Sequence, residues 1–193
     1  MQLLNYYKLL LNDKKIDINA RDNDGYTALH WAARWGHDEI VKLLLNNKNI
    51  NIDEKDKHEN TALHLAAEFN RKEIVKLLIN EGADITVQDY NGCTALCWAV
   101  FKGNKDIVEL LLSNKKIDIN ARDNDGRTAL HWTVFKGNKD IVALLINKGA
   151  ETKVQGKDGR TALDLATDAD IKALLAEKVI NNFASALHSL TPQ

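Results

Sequence analysis

The sequence predicts an all-α solenoid built from short helix–turn–helix units that stack on one another. A Thr-Ala-Leu motif occurs five times, and its threonines are separated by 34, 33, 34 and 33 residues. An Ile-Val pair follows each of the first four threonines by 13 residues, and a run of Leu and Ile comes shortly after it. A period of this length is typical of solenoids, in which each repeat buries its apolar face only against its neighbours.

The apolar pattern within each repeat indicates two short amphipathic helices rather than one long helix. Thr27 precedes the first apolar positions and can cap a helix, because its hydroxyl accepts a hydrogen bond from a backbone N–H. Gly36, Gly103 and Gly137 stand where this first helix must end, and glycine readily adopts the left-handed conformation found there. Asn70 takes the same place in the second repeat and is the next best residue for it.

We expect a single domain over residues 1–193. Residues 1–21 are predicted to form an N-terminal cap helix, and residues 181–193 a C-terminal cap helix with a tail. The five repeats between them span residues 22–55, 56–88, 89–122, 123–155 and 156–180. The run Leu9–Leu11 matches the second helix of a repeat. The fifth repeat is shorter, and its apolar positions continue to Leu187, which predicts a closing helix because terminal repeats are atypical.

The motif and its spacing resemble the ankyrin repeat. The family pattern is Asp-x-x-Gly-x-Thr-Pro-Leu-His, then a small pair, Gly-His, Ile-Val, Leu-Leu and Gly-Ala-Asp, and the likeness covers about residues 22–178. The sequence departs from it where proline is replaced by alanine in all five copies, at Ala28, Ala62, Ala95, Ala129 and Ala162. The resemblance implies loops that project as β-turn fingers, and binding of a partner protein on a concave face formed by the fingers and first helices.

Two segments of the chain are nearly identical. Residues 14–31 and 115–132 match at 17 of 18 positions and differ only where Tyr26 corresponds to Arg127. The offset of 101 residues equals three repeats, so we infer that a three-repeat block was duplicated. Such copies can differ in function only through the positions that have diverged.

Composition excludes several classes of protein. Lys and Arg number 26 against 27 Asp and Glu, which argues against binding nucleic acid through overall positive charge. No apolar run is long enough to cross a membrane. Two cysteines are too few for a disulfide framework, so we expect reduced thiols in a cytoplasm. We also expect a monomer, and the Lys- and Asn-rich composition fits an effector that acts in the cytosol of a host cell.

No motif of the sequence predicts an enzyme, a cofactor or a bound metal ion. There is no phosphate-binding loop, Gly-x-Ser-x-Gly or His-Glu-x-x-His. His30, His64 and His131 recur at one position of the repeat, where a metal or catalytic site is one interpretation. The resemblance favours another, in which each imidazole holds its turn by hydrogen bonds to backbone. Cys93 and Cys97 are interpreted as plain thiols, with Cys93 the more exposed.

The resemblance places the binding residues in the fingers and late on the first helices. The positions it selects carry aromatic and charged side chains, which often anchor interfaces. They are Tyr26, Arg34, Trp35, Lys57, His58, Glu68, Phe69, Tyr90, Phe101, Lys102, Arg127, Phe135, Lys136 and Arg160. Cations outnumber acids in these positions, so an acidic or amphipathic segment of a partner protein suits them. Trp31, Trp98 and Trp132 occupy a usually apolar position, and we expect them to pack mainly in the core.

The predicted function is therefore that of a non-enzymatic protein-binding module. One alternative is a targeting or substrate-recruiting arm of a larger effector or enzyme assembly, although the predicted caps at both ends favour a complete unit. A nucleic-acid binder would show a steep salt dependence of binding. A purely structural solenoid would tolerate loss of the aromatic residues on its concave face.

Overall fold

The chain was analysed as a computed structural model, which describes the backbone of residues 16–188 and the side chains of residues 16–180. Ten helices lie within residues 16–188. They are α1 (Ala28–Trp35), α2 (Asp38–Leu45), α3 (Ala62–Glu68), α4 (Lys72–Asn80), α5 (Ala95–Lys102), α6 (Lys105–Leu112), α7 (Ala129–Phe135), α8 (Lys139–Asn147), α9 (Ala162–Leu165) and α10 (Ala169–His188). The only β-structure in this range is an isolated bridge between Gln155 and Thr161. The predicted all-α fold class is confirmed.

The predicted cap segments are described only in part. Residues 1–15 of the predicted N-terminal cap helix lie outside the described residues, and residues 16–21 form turns rather than helix. At the other end, the closing helix is present as α10 and continues past residue 180 to His188. Residues 189–193 of the predicted tail lie outside the described residues.

The chain falls into two compact units, Met1–Ala99 (the first unit) and Val100–Gln193 (the second unit). In the first unit, α1 packs against α2 and α3, and α4 packs against α2 and α3. In the second unit, α7 packs against α8 and α9, and α8 also contacts α6 and α10. Each unit has its own apolar core. The largest fully buried side chains are Leu29, Leu63, Ile74, Leu78 and Leu96 in the first unit, and Ile107, Leu111, Leu130, Ile141, Leu145, Ile171 and Leu175 in the second.

The ends of the first helices follow the sequence prediction. Thr27 is the N-cap of α1, and the backbone N–H of His30 donates to its hydroxyl at 3.4 Å. Gly36 ends α1 in the left-handed conformation, with φ at 79°. Asn70 follows α3 with φ at 57°, so it replaces glycine as predicted. The short turn brings the second helix back against the first, which leaves the end of the first helix and the preceding finger open to solvent.

Candidate functional site

Four of the five fingers are tight hairpins, each organised by one aspartate. The backbone N–H of Asp22 donates to the carbonyl oxygen of Tyr26 at 2.9 Å, and Asp22 Oδ1 accepts from the N–H groups of Asp24 and Tyr26. The carboxylates of Asp56, Asp89 and Asp123 accept two backbone N–H groups of their own fingers in the same way. These hydrogen bonds order the four fingers without any partner.

The second carboxylate oxygen of three of these aspartates fixes a tryptophan. The indole N–H donates to Oδ2 at 2.8 Å from Trp31 to Asp22, at 3.0 Å from Trp98 to Asp89, and at 2.8 Å from Trp132 to Asp123. The Trp31 bond lowers the pKa of Asp22. The expectation that these tryptophans pack mainly in the core is wrong for Trp31, which is 40% exposed, whereas Trp98 and Trp132 are half-buried. The carboxylate that holds Trp31 belongs to the exposed Asp22, and those that hold the other two belong to the buried Asp89 and Asp123.

The recurring histidines hold the start of each first helix. The N–H groups of Thr27, Thr61 and Thr128 donate at 3.1 Å to Nδ1 of His30, His64 and His131, so the ring proton belongs on Nε2. In the first unit this Nε2–H meets the carbonyl oxygen of the next finger, at 3.0 Å for Asn60 and 3.1 Å for Cys93. Burial lowers the pKa of all three histidines, which keeps them neutral. The predicted turn-holding role is confirmed.

An open groove of about 290 Å³ lies in the first unit, between the fingers and the ends of α1 and α3. The Arg34 guanidinium stands 4.7 Å from the ring centroid of Phe69, and one of its N–H groups donates to the hydroxyl of Tyr26 at 3.3 Å. The Tyr26 ring lies 4.8 Å from that of Trp31, and burial raises its pKa. Five predicted residues thus line one groove, namely Tyr26, Arg34, His58, Glu68 and Phe69.

A second groove, of about 340 Å³, lies in the second unit beside α7 and the last finger. Its walls include Arg127, Trp132, Phe135 and Arg160. The Arg127 guanidinium stands 5.4 Å from the ring of Trp132, whose other side meets Phe101 edge-on at 5.6 Å. Beside this groove, a cation also covers Phe101, because the ammonium nitrogen of Lys136 lies 3.9 Å from its centroid. The two units therefore present similar layers of rings and cations.

Comparison with known families agrees with this architecture. A family profile described as ankyrin repeats (3 copies) matches residues 2–56, 50–123 and 115–184. The chain belongs to the ankyrin repeat family. A search of curated proteins returned no match.

The remaining predicted binding residues of this ankyrin-repeat protein lie on its surface. Trp35 and Phe135, at the ends of α1 and α7, are 58% and 66% exposed, and Tyr90 at a fingertip is 69% exposed. Lys57, Lys102, Lys136 and Arg160 are exposed as well. Phe69 and Phe101 are half-buried, so they offer only part of their rings. The predicted set thus contains three exposed aromatic rings, on Trp35, Tyr90 and Phe135. It also contains two half-buried rings, on Phe69 and Phe101, each with a cation over its face.

Among the side chains of residues 16–180, no three of His, Cys, Asp or Glu converge as they would at a metal ion. Cys97 is buried and Cys93 is half-buried, so Cys93 is the more exposed of the two thiols, and neither forms a disulfide. None of the described helices is both long and apolar enough to cross a bilayer.

Sequence reasoning missed the Asp–Trp bonds of this ankyrin-repeat protein, although a signal was present. The tryptophan follows its aspartate by nine residues in three repeats, which is Asp22 to Trp31 in the first. The second repeat has Leu65 at the tryptophan position, and there the side-chain amide of Asn60 donates to Asp56 Oδ2 at 3.2 Å instead. In all four of these fingers, an N–H group therefore meets the second carboxylate oxygen.

Proposed function

We propose that this protein binds another protein through the surface formed by the fingers and the first helices of its repeats. The observation that carries the proposal is the same in both units: an open groove is lined by aromatic rings that cations and carboxylates hold in place. Membership of the ankyrin repeat family supports it, because ankyrin repeats generally mediate protein–protein interaction.

The surface is suited to recognition because its side chains are already ordered. Trp132 is held by its bond to Asp123, and Arg34 is held between Tyr26 and Phe69. Groups fixed in this way lose little rotamer entropy on binding, so more of the contact energy appears as affinity. Aromatic residues and arginine are also the side chains that most often dominate interface energetics.

The charge of this surface favours an acidic or amphipathic segment of the partner. Six cations occupy the predicted positions, and three acids lie in these positions or elsewhere in the same fingers. The cations are Arg34, Lys57, Lys102, Arg127, Lys136 and Arg160, and the acids are Asp24, Glu68 and Asp125. Charges of opposite sign across an interface raise the association rate and select among partners.

We further propose that the chain acts as a monomer in a cytoplasm, without catalysis of its own. The reduced thiols of Cys93 and Cys97 suit a reducing compartment. The histidines at the recurring position are held by backbone and threonine groups, as His30 and His64 illustrate. Their imidazoles therefore serve the fold, which leaves the grooves to recognition.

The test is an affinity capture from native lysate, read by mass spectrometry. The binding variant replaces Trp35, Phe69, Phe101 and Phe135 with alanine. A matched control replaces Lys42, Lys76 and Glu109 with alanine, because these exposed residues lie on second helices. Circular dichroism must show that both variants are folded.

We expect the control to retain the same protein as the wild type and the binding variant to lose it. Retention by both variants would reject the proposed surface. Loss from both variants would mean that the second helices also contact the partner, and it would reject the restriction to fingers and first helices.

A further inference from the structure

The one position that differs between the duplicated segments lies in the binding surface. Tyr26 and Arg127 each precede a first helix, and each side chain lies on the tryptophan five residues later. The Tyr26 and Trp31 centroids are 4.8 Å apart, and the Arg127 guanidinium lies 5.4 Å from the Trp132 centroid. The two tryptophans are fixed by the same kind of bond. The two copies therefore hold different chemical groups in the same setting.

The Arg127 guanidinium is placed but weakly paired. Its nearest carboxylate oxygens, on Asp125 and Asp158, are 3.8 and 3.5 Å away, which is longer than a good hydrogen bond. Guanidinium carries five N–H donors in a planar fork that fits a carboxylate with two parallel bonds. The Arg127 side chain is 28% exposed, so a ligand can reach it while much of its own hydration has already been removed.

Two acids beside the groove are held mainly by other groups. Asp158 accepts from Nε and Nη2 of Arg160, at 3.0 and 2.8 Å. Asp164 accepts from both the N–H and the hydroxyl of Thr161, at 2.9 and 2.7 Å, as the cap of α9. Asp158 and the exposed Asp125 approach Arg127 only at 3.5 and 3.8 Å, so its guanidinium keeps N–H groups for a ligand.

The groove wall also contains an open aromatic ring. Phe135 is 66% exposed and supplies an apolar wall beside Arg127.

We propose that the groove beside Arg127 binds a carboxylate side chain of the partner protein, with an adjacent bulky apolar side chain packed on Phe135. The carboxylate takes a two-bond position on the guanidinium, and the apolar neighbour covers the exposed ring. The inference rests on the proposed function, since it names the partner segment that this surface accepts. At the position of Arg127, the first unit carries Tyr26, which offers no guanidinium.

The experiment is a selection of random peptides displayed on phage, carried out on the whole chain and on the Arg127→Tyr variant. Tyrosine is a matched replacement, because it stands in the same sequence context at position 26. Arg127→Gln provides a second variant that keeps part of the aliphatic stem. We expect the wild type to enrich Asp or Glu next to a bulky apolar residue, and both variants to lose the acidic preference.

A titration then tests the contact itself. The most enriched peptide is compared with its Asn or Gln counterpart by calorimetry. We expect the wild type to bind the counterpart about tenfold or more weakly, because charge-assisted hydrogen bonds are the strong ones. For each variant, the affinities for the acidic peptide and for its amide counterpart should agree within about twofold. The guanidinium that distinguishes the two peptides is absent from both variants.

Several outcomes would overturn the inference. Selected peptides without an acidic preference would do so, as would a preference that survives in both variants, or a wild type that enriches no peptide. These outcomes leave the capture test of the proposed function unaffected, because that test does not involve Arg127. A different result is that the four-residue variant still captures the partner while the peptides behave as described. The groove beside Arg127 then binds a carboxylate, but the four aromatic residues are not the main contacts with the partner.

Discussion

Within residues 16–188, two residues other than glycine hold left-handed backbone conformations, and their positions follow the repeat. Asn70 has φ at 57° and stands where the other first helices of the first four repeats end in glycine. Glu59 has φ at 62° and stands where the other four fingers carry Gly25, Gly92, Gly126 and Gly159. The sequence alone exposes both exceptions, since the repeat shows which backbone position requires glycine. A side chain with a Cβ costs about 1–2 kcal/mol in this conformation.

Glu59→Gly should therefore stabilise the fold. We expect a gain of about 0.5–1 kcal/mol in the free energy of unfolding, because relief of the strained φ exceeds the extra entropy of glycine in the unfolded chain. The lost pair between Glu59 and Lys55 is exposed and contributes little. Denaturant unfolding measures the difference. Asn70→Gly is the matched control and should give a smaller gain, because asparagine tolerates this conformation; equal gains would contradict the reasoning.

The three histidines make stability depend on pH. Burial lowers the pKa of His30, His64 and His131 in the folded chain below the usual value of about 6.5. As the pH falls, these histidines therefore take up protons in the unfolded chain before they do so in the folded chain. Their contribution to the free energy of unfolding is complete above about pH 6.5 and is lost progressively below it. We expect a lower unfolding midpoint at pH 5.5 than at pH 7.5.

A triple variant provides the control for this pH dependence. Cysteine occupies the same repeat position at Cys97, so replacing the three histidines with cysteine uses a residue that the chain already accepts there. The variant should be less stable at pH 7.5, and its unfolding midpoint should change much less between the two pH values. An unchanged pH dependence would show that other groups cause it.

At the scale of the element, the finger is the feature that the sequence predicts least completely. Helix starts and ends could be predicted, because threonine and glycine act on their own backbone neighbours. The Asp–Trp bond could not, because it joins side chains nine residues apart whose meeting depends on how the finger folds over the first helix. The fifth repeat shows what happens without the aspartate. Gly156 replaces it, and Asp158 accepts the N–H of Arg160 instead.

Asp123→Ala should destabilise the fourth finger strongly. Asp123 is 9% exposed and accepts hydrogen bonds from the backbone of Asp125 and Arg127 and from the indole of Trp132. Loss of these bonds to a charged, buried acceptor should cost about 2–3 kcal/mol of unfolding free energy. Denaturant unfolding followed by tryptophan fluorescence reports both the stability and the released indole.

The matched control is Asp118→Ala. Asp118 is exposed and accepts one backbone N–H, from Asn120 at 2.9 Å. Its loss should cost less than about 1 kcal/mol. Similar costs for the two variants would show that the carboxylate of Asp123 does not organise its finger.

For the whole molecule, the duplicated sequence reproduces its contacts in both units. Arg21 donates to the carbonyl oxygen of Lys55, and Arg122 donates to that of Gln155. Asn19 Oδ1 accepts the N–H of Asn51 at 2.8 Å, and Asn120 Oδ1 accepts that of Glu151 at 2.9 Å. Identical segments thus join successive repeats in the same way within each unit.

The predicted binding positions follow from the register of the repeat, and the structure adds how they are paired. The sequence placed Arg34 and Phe69 in the same surface, but the guanidinium standing over the ring depends on the distance between two repeats. It likewise placed Phe101 and Lys136 together without predicting that the ammonium covers the ring. Such pairs lie some 35 residues apart, so no local pattern reveals them.

The most direct test of the central claim is site-specific photocrosslinking in native lysate. Benzoylphenylalanine replaces Trp35 in the first unit or Phe135 in the second, where an exposed aromatic side chain is already present. Control positions are Lys76 and Glu109, which are exposed on the second helices α4 and α6. Our account predicts that positions 35 and 135 crosslink to the protein recovered by affinity capture and that positions 76 and 109 do not. Crosslinks from positions 76 and 109 but not from 35 and 135 would contradict it.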